Sequence, residues 1–374
     1  MAKKKILTIG IDMGTSRSVI AADNGLRVFV PSYVGFAKDP VSRKMLGKDI
    51  VFGEEALRYR MSLDLYRPLE KGVIRYSDDS AKDTEEHRKA LDVAKRLLAH
   101  LVDLVTQTQE KEREDLMIRG VIGAPALASR KNKMALLGIA HGILDDVMIA
   151  SEPFAVAYGL NILNNTLVID IGAGTVDLCR MHGTVPSEAD QITTFKAGDY
   201  IDQVLLDLIK RKYGHTDLTI TMIKRFKEEN AFVSDQGESI FMLLPVAGKP
   251  TSHDVTNELR EACRSIVPEI VQGIKKLVAT YDPEFQDELK QNIVLAGGGS
   301  QIIGLKKEIE NYMKEHLGYG RVTKVEEPLY AGANGALMLC RDMPDEYWDE
   351  LQDRSRKTGP GSPPTDSGGK ENGK

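Results

Sequence analysis

The sequence reads IGIDMGTS at residues 9–16 and VIDIGAGT at residues 168–175. Each segment is an apolar run that reaches an aspartate, Asp12 or Asp170, and continues into a turn of small and polar residues. A second apolar run follows each turn, and the two aspartates are 158 residues apart. Such a repeat predicts a duplicated α/β domain with a ligand cleft between its two copies.

Short apolar runs and longer helix-periodic stretches alternate along the rest of the chain, which indicates an α/β protein. The predicted strands are 6–11, 17–22, 26–30 and 121–122, and the predicted helices run through 91–105 and 151–160. The turn signal Asn24-Gly25 joins the second and third strands. The acidic segment 83–86 suits the start of the first helix, and Pro153 suits the first turn of the second.

Composition places the chain among ordinary globular proteins. Its 374 residues are 42% apolar and 28% charged, which excludes a wholly disordered chain, a collagen and a coiled-coil rod. The formal net charge of −5 gives no broad positive field, so nucleic acid is not expected as a partner. No apolar run approaches the roughly 18 residues of a membrane span, and no signal peptide is recognised. Three widely spaced cysteines fit a reducing cytosol.

The end of the chain differs in composition from everything before it. Residues 353–374 contain no apolar residue and are rich in glycine, proline and serine. A segment of this kind cannot bury enough surface to offset the entropy of ordering. We therefore expect a disordered tail.

Both repeated turns predict a phosphate site, because backbone N–H groups of small residues can approach a polyphosphate closely and form anion nests. The residues expected to do so are Gly14, Thr15 and Ser16 in the first turn and Gly172, Ala173, Gly174 and Thr175 in the second. Asp12 and Asp170 would repel phosphate unless a cation intervened, so we expect them to hold Mg²⁺ through its waters. A pair of ordinary hairpins is the alternative interpretation.

A third glycine-rich segment, Gly297-Gly298-Gly299-Ser300, lies between an apolar run and a helical pattern. Consecutive glycines are typical of a place where another body lies flat against the backbone. We predict that the base and ribose of a nucleotide lie there, and a plain strand-to-helix linker is the alternative. A P-loop is excluded because Leu305 occupies the lysine position of the spacing that begins at Gly299.

Together these segments resemble the actin, Hsp70 and sugar-kinase ATPase superfamily. Its five signature segments occur here in family order, as phosphate-1 at 10–18, connect-1 at 120–128, phosphate-2 at 168–178, adenosine at 294–305 and connect-2 at 330–339. The resemblance implies a duplicated actin/Hsp70-type α/β fold that binds Mg-ATP in a cleft between two domains. The implied domain I comprises 1–157 and 328–352, and the implied domain II comprises 158–327.

The resemblance also implies roles for residues outside the repeat. Glu152 is similar to the glutamate of the Glu-Pro motif in Hsp70 and bacterial actins, and it is implied to orient the water that attacks the γ-phosphate. With Asp12 and Asp170 it forms the implied catalytic set. Without the family, Glu152 would be interpreted as a helix-start acid.

Three further residues are implied to contact the nucleotide. Lys227 and Glu228 are similar to a Lys-Glu pair of actin and are implied as ribose and adenine contacts. Asp199 belongs to a Gly-Asp element that follows phosphate-2 in the superfamily, and with Asp202 it is a weaker candidate. A solvated charge pair is the alternative for Lys227 and Glu228.

Loop and surface segments narrow the resemblance to the magnetosome-associated bacterial actins. The similar segments are 65–69, 151–154, 163–166, 183–186 and 247–250, the last followed by 254–256. This group implies a cytoplasmic ATPase whose partner is itself, in filaments that ATP favours and hydrolysis destabilises. Magnetosome-associated proteins are the further partners implied.

Three alternatives within the superfamily stay open. A small-molecule kinase would need a phosphoryl-acceptor site, for which no motif stands out. An Hsp70-like chaperone would need a peptide-binding domain, for which a polar tail gives no room. A membrane-bound actin relative would need an anchor, and the N-terminus is too short for an amphipathic helix, so no direct membrane insertion is expected.

Overall fold

A computed structural model describes residues 5–77, 84–106, 116–214, 217–235, 239–246 and 249–348. The predicted tail at 353–374 lies outside the described residues.

The described strands and helices alternate as the sequence predicts. The strands are β1 (Lys5–Met13), β2 (Arg17–Ala22), β3 (Arg27–Pro31), β4 (Val34–Ala37), β5 (Ile50–Phe52), β6 (Leu63–Tyr66), β7 (Leu69–Glu70), β8 (Val73–Ile74), β9 (Leu116–Ala124), β10 (Asp146–Ser151), β11 (Asn164–Ile171), β12 (Val176–His182), β13 (Gln191–Thr194), β14 (Phe241–Val246), β15 (Lys249–Asp254), β16 (Ile293–Ala296) and β17 (Val322–Lys324). The helices are α1 (Pro40–Leu46), α2 (Gly53–Arg58), α3 (Glu85–Thr106), α4 (Arg130–Ala140), α5 (Glu152–Gly159), α6 (Gly198–Tyr213), α7 (Ile220–Asn230), α8 (Thr256–Arg264), α9 (Val267–Ala279), α10 (Gln286–Gln291), α11 (Leu305–Leu317) and α12 (Ala331–Asp342).

A five-stranded sheet with the order β10-β9-β1-β2-β3 forms the first half of the molecule. β1, β2 and β3 are an antiparallel meander, and β9 and β10 extend the sheet from β1 in parallel. The predicted strand at 17–22 is confirmed with the same bounds. β1 is longer than predicted because the ladder continues through Asp12, which lies opposite Val19.

The second half repeats this sheet, with the order β13-β12-β11-β16-β17. Its first three strands in the chain, β11 to β13, are again an antiparallel meander, and β16 and β17 again extend the sheet in parallel. Asp170 occupies the position in β11 that Asp12 occupies in β1, near the end of the strand. The predicted duplication of an α/β domain is therefore confirmed.

The predicted helices are confirmed, and their ends have local causes. α3 begins at Glu85, where the Thr84 hydroxyl accepts a hydrogen bond from the His87 N–H at 3.1 Å. α5 begins one residue after Ser151, which takes the cap position without a side-chain cap hydrogen bond, and Pro153 lies in its first turn. None of the helices in the described part of the chain is long and apolar enough to cross a bilayer.

Helices α5 and α12 cross where the two halves meet. A Cβ at Gly335 of α12 would overlap the Ala155 carbonyl of α5, so glycine permits the close crossing. Ala155 packs in a cluster with Val121 of the first sheet. Val156 packs with Val168 of the second. α5 therefore contacts the cores of both halves.

Candidate functional site

A cavity of about 470 Å³ opens where the two repeated turns face each other. Its volume falls within the range of small-molecule sites. The predicted residues that line it are Asp12, Gly14, Thr15, Ser16, Glu152, Asp170, Gly172, Ala173, Gly174, Thr175, Asp199, Lys227, Glu228, Gly297, Gly298 and Gly299. Ser300 is not among the lining residues, because it is buried and its hydroxyl donates to the Gly297 carbonyl at 2.8 Å.

The two turns touch directly, and glycine makes the contact possible. A Cβ at Gly174 would overlap the Thr15 hydroxyl. That hydroxyl accepts a hydrogen bond at 2.7 Å from the N–H of Gly72, in the turn between β7 and β8. On the other side, Gly297 has a φ of 74°, which favours glycine, and a Cβ there would overlap the Asp170 carboxylate. The backbone therefore approaches the cavity from three segments.

Four carboxylates interact near the ends of β1 and β11. Burial raises the pKa of Asp12 to about 6, with a further contribution from the charge of Asp177. Burial also raises the pKa of Glu152 and of Asp170 well above the usual range, and the charge of Asp12 adds to both shifts. Acids that raise one another's pKa in this way favour bound protons or a bound cation.

The sequence repeat did not predict Asp177. It lies in β12 opposite Asp170, whereas the equivalent residue of the first copy is Val19, so a search for matched residues passes over it. One oxygen of its carboxylate accepts from the Ala126 N–H at 2.9 Å and from the Thr193 hydroxyl at 2.6 Å. The other oxygen is buried without a hydrogen-bond partner in the described part of the chain. The sequence does carry one signal for Asp177, which is that an acidic residue lies within the otherwise apolar segment 176–179.

We expect Asp177→Ala to be less stable than Asp177→Asn by roughly 1–3 kcal/mol in free energy of unfolding. The alanine leaves the Ala126 N–H and the Thr193 hydroxyl without an acceptor, whereas asparagine keeps a carbonyl oxygen. Both variants remove the charge, so their difference reports the hydrogen bonds together with the volume that alanine leaves unfilled. Chemical denaturation of the two variants measures it, and equal stabilities would show that these bonds contribute nothing.

The predicted Lys-Glu pair lies at another wall of the cavity. The Lys227 ammonium is 2.7 Å from the Asp202 carboxylate and donates to the Gly198 carbonyl at 2.8 Å. Glu228 pairs instead with Arg17 of β2, at 2.8 Å between Nη2 and Oε2. Lys227 is thus held within the second half, whereas Glu228 reaches across to the first.

Arg67 makes a second link between the two halves. Its guanidinium pairs with the Asp199 carboxylate and donates from Nε to the Thr15 carbonyl at 2.9 Å. The partners in these two ion pairs are 132 and 211 residues apart in sequence, and no local pattern predicts such pairing. Asp199 therefore belongs to a link between the halves as well as to the wall of the cavity.

We expect the Arg67–Asp199 pair to show a coupling energy of about 0.5–1.5 kcal/mol, because the pair is partly buried and charge-assisted. A double-mutant cycle of Arg67→Ala and Asp199→Ala, followed by chemical denaturation, measures that coupling. The exposed Arg225–Glu229 pair, at 3.5 Å, is the matched control and should give a smaller coupling. Additive effects at Arg67 and Asp199 would contradict a link between the halves.

The family model, the curated relative and the solved structures that match this chain agree with one another. The MreB/Mbl protein family matches residues 6–346. The actin-like protein MamK of Magnetospirillum gryphiswaldense is 39% identical over 352 residues, which cover 94% of each chain. Among solved structures, a MamK double helical filament is 36% identical, covers 91% of this chain and all of its own, and superposes with a TM-score of 0.84. A non-polymerising MamK mutant bound to AMPPNP has the same identity and coverage and a TM-score of 0.67.

Proposed function

The chain belongs to the MreB/Mbl family of actin-like proteins, and from that premise we propose that it is an ATPase that assembles with copies of itself into filaments. The observation that carries this proposal is the cavity that both repeated turns and the glycine triplet line together. Nucleotide binding is supported by the MamK relative bound to AMPPNP. Self-assembly is supported by the MamK relative in a double helical filament.

We propose the domain bounds that the resemblance implies, with domain I at 1–157 and 328–352 and domain II at 158–327. The two largest buried clusters support this division, since one draws its residues from Leu7 to Leu144 and the other from Leu167 to Val322. α5 lies at the proposed boundary and packs on both sides of it. The bound nucleotide would then lie between two bodies that can change their relative angle.

The residues at the base of the cavity fit a magnesium ion. Asp12 and Asp170 both line the cavity and would supply hard carboxylate oxygens to the ion or to the waters that Mg²⁺ keeps. No cluster of three or more ligating side chains occurs within the described ranges, and Mg²⁺ commonly uses one or two carboxylates with waters and substrate phosphates. When bound, the ion neutralises charge on the phosphates and on the acids around it.

The backbone of the two turns would bind the phosphates of ATP. The N–H groups at 14–16 and at 172–175 are proposed to donate to phosphate oxygens. The glycines at 297–299 would lie against the nucleoside, with Lys227 and Glu228 at its edge. Ser300 acts on this segment indirectly, through its hydrogen bond to the Gly297 carbonyl.

Glu152 is proposed to hold the attacking water. It is the first residue of α5, and its side chain lies over Gly123 of β9, where a Cβ would come within 3.2 Å of the Glu152 Cγ. Burial raises its pKa, and the charges of neighbouring acids add to the shift. A cation among those acids would favour the ionised form of Glu152, which accepts a hydrogen bond from water. Phosphoryl transfer needs such positioning more than a strong base.

Filament dynamics follow from the position of the nucleotide between the domains. A ligand that contacts both domains favours one angle between them, and the fit of a head-to-tail contact depends on that angle. We propose that ATP favours the assembling form and that hydrolysis weakens it. From the resemblance to magnetosome-associated actins, we propose that the filaments are cytoplasmic and position magnetosomes, with magnetosome-associated proteins as further partners.

The test combines sedimentation, electron microscopy and phosphate release on the full chain. We expect filaments after addition of ATP and Mg²⁺, phosphate release that follows assembly, and longer-lived filaments with AMPPNP. ADP and EDTA samples are the controls. Phosphate transfer to an added small molecule would favour a kinase, and the absence of filaments with both ATP and AMPPNP would contradict the proposal.

A further inference from the structure

The chain folds back on the first sheet after α12. Residues 344–348, which we name the carboxyl-terminal clasp, become helical again from 345. Trp348 is the only tryptophan of the chain, and it is 1% exposed. It is buried in a cluster drawn from four elements of the first half, whose other members are Val121, Ala150, Ala155, Ala336, Leu339 and Cys340.

The clasp also has a polar contact. The Asp345 carboxylate accepts from Arg119 Nη1 at 2.5 Å, and Arg119 Nε donates to Asp146 at 3.0 Å. Asp146 is the first residue of β10 and lies opposite Arg119 in the ladder between β9 and β10. The Arg119 guanidinium lies 5.7 Å from the centre of the Trp348 ring. The polar and apolar halves of the clasp are therefore joined through one arginine.

Three of these four elements, β9, β10 and α5, surround Glu152. β10 leads directly into Glu152, and the cluster around Trp348 includes Ala150, two residues before it, and Ala155, three residues after it. β9 supplies Gly123, which lies under the Glu152 side chain. α5 is held on its other face by the second half, through Val156. The clasp therefore packs against one side of β10 and α5, the two elements on either side of Glu152.

We propose that the clasp is a positioning element for hydrolysis, in which Trp348 and Asp345 act through β10 and α5 to keep the Glu152 carboxylate in place. This inference rests on the proposed ATPase function. Rate is far more sensitive than affinity to such placement, since a displacement of about 1 Å can slow a reaction roughly 100-fold. Nucleotide affinity would depend instead on the turns and on the glycine segment, and none of residues 344–348 is among the lining residues of the cavity.

The test separates rate from affinity. We expect Trp348→Ala to slow phosphate release about tenfold or more while its AMPPNP affinity stays within about twofold of the parent, and we expect Trp348→Phe to restore most of the rate. Truncation after Met343 should behave like Trp348→Ala. Truncation after Gln352 keeps the clasp and is the matched control, which should retain the parental rate. All rates are measured well below each variant's unfolding midpoint.

Asp345→Asn is the second variant, because it leaves the apolar cluster intact if Trp348→Ala fails to fold. It should slow phosphate release severalfold with unchanged AMPPNP affinity. As a readout apart from turnover, the emission of Trp348 in the parent should change when AMPPNP and Mg²⁺ bind below the assembly concentration, since α5 contacts both halves.

The outcomes distinguish the two proposals. A parent that releases no phosphate overturns the ATPase function and this inference with it. A parent that releases phosphate while Trp348→Ala and Asp345→Asn match its rate overturns the inference alone. Equal losses of rate and affinity, or an emission that does not respond to nucleotide, would show that the clasp only stabilises the fold.

Discussion

Asp170→Ala is expected to lose productive Mg-ATP binding and, with it, nucleotide-dependent assembly. Asp170 is 8% exposed and lines the cavity together with the glycine segment. In the proposed site it holds the ion that compensates the phosphates, so we expect AMPPNP affinity in the presence of Mg²⁺ to fall at least about tenfold, a difference of about 1.4 kcal/mol or more in binding free energy. Titration calorimetry with and without Mg²⁺ measures it, and Asp12→Ala should behave alike.

The thermal stability of Asp170→Ala should rise, although its nucleotide affinity falls. Burial and neighbouring acids raise the pKa of Asp170, which means that its ionised form destabilises the empty protein at neutral pH. Removing the carboxylate therefore raises the unfolding midpoint while activity is lost, as is typical of functional sites.

Asp190 provides the matched control for both effects. Its carboxylate accepts from Arg180 Nε at 2.8 Å and from the Ser187 hydroxyl. These bonds hold the pKa of Asp190 well below its usual range despite the opposing effect of burial. Asp190→Asn should lower stability and leave nucleotide affinity unchanged. Parental Mg-AMPPNP binding by both Asp12→Ala and Asp170→Ala would show that the metal assignment is wrong.

The fold was predictable because each copy of the repeat carries its own complete signal. Asp12 and Asp170 each end an apolar run before a small-residue turn, and a hairpin is a local structure that such a pattern specifies. The parallel strands β9 and β16 then pair with the first strand of each hairpin. Two similar hairpins therefore predict two similar sheets, and a cavity between them follows.

Contacts between the halves were not predictable in the same way. Arg17 meets Glu228 and Arg67 meets Asp199 across more than 100 residues of sequence, so their pairing depends on how the two sheets face each other. The sequence repeat did not indicate Asp177, because the equivalent residue of the first copy, Val19, is apolar. Trp348 precedes a polar segment of the sequence, and only the fold shows that its side chain is buried in the cluster beside α5.

Glu152→Ala is expected to slow phosphate release by about 100-fold, the lower end of what a positioned proton acceptor contributes, while AMPPNP affinity and assembly change little. Glu152 lines the cavity at the start of α5, but the phosphates and the nucleoside are assigned to backbone and to other side chains. Filaments should then form with ATP and persist, because the weakened contact is reached only after hydrolysis. Paired sedimentation and phosphate-release curves measure both, and each tenfold slowing corresponds to about 1.4 kcal/mol of transition-state stabilisation.

Glu229→Ala is the control for this variant, because Glu229 also lines the cavity but its carboxylate is largely exposed, 3.5 Å from Arg225. It removes an equal charge from the same cavity without touching the carboxylate set, so its phosphate release should match the parent. Slower phosphate release in both variants would mean that hydrolysis depends on the total negative charge of the cavity rather than on the Glu152 carboxylate. If Glu152→Ala releases phosphate at the parental rate per polymerised subunit, Glu152 is a structural acid at the start of α5, and the water must be held by another group.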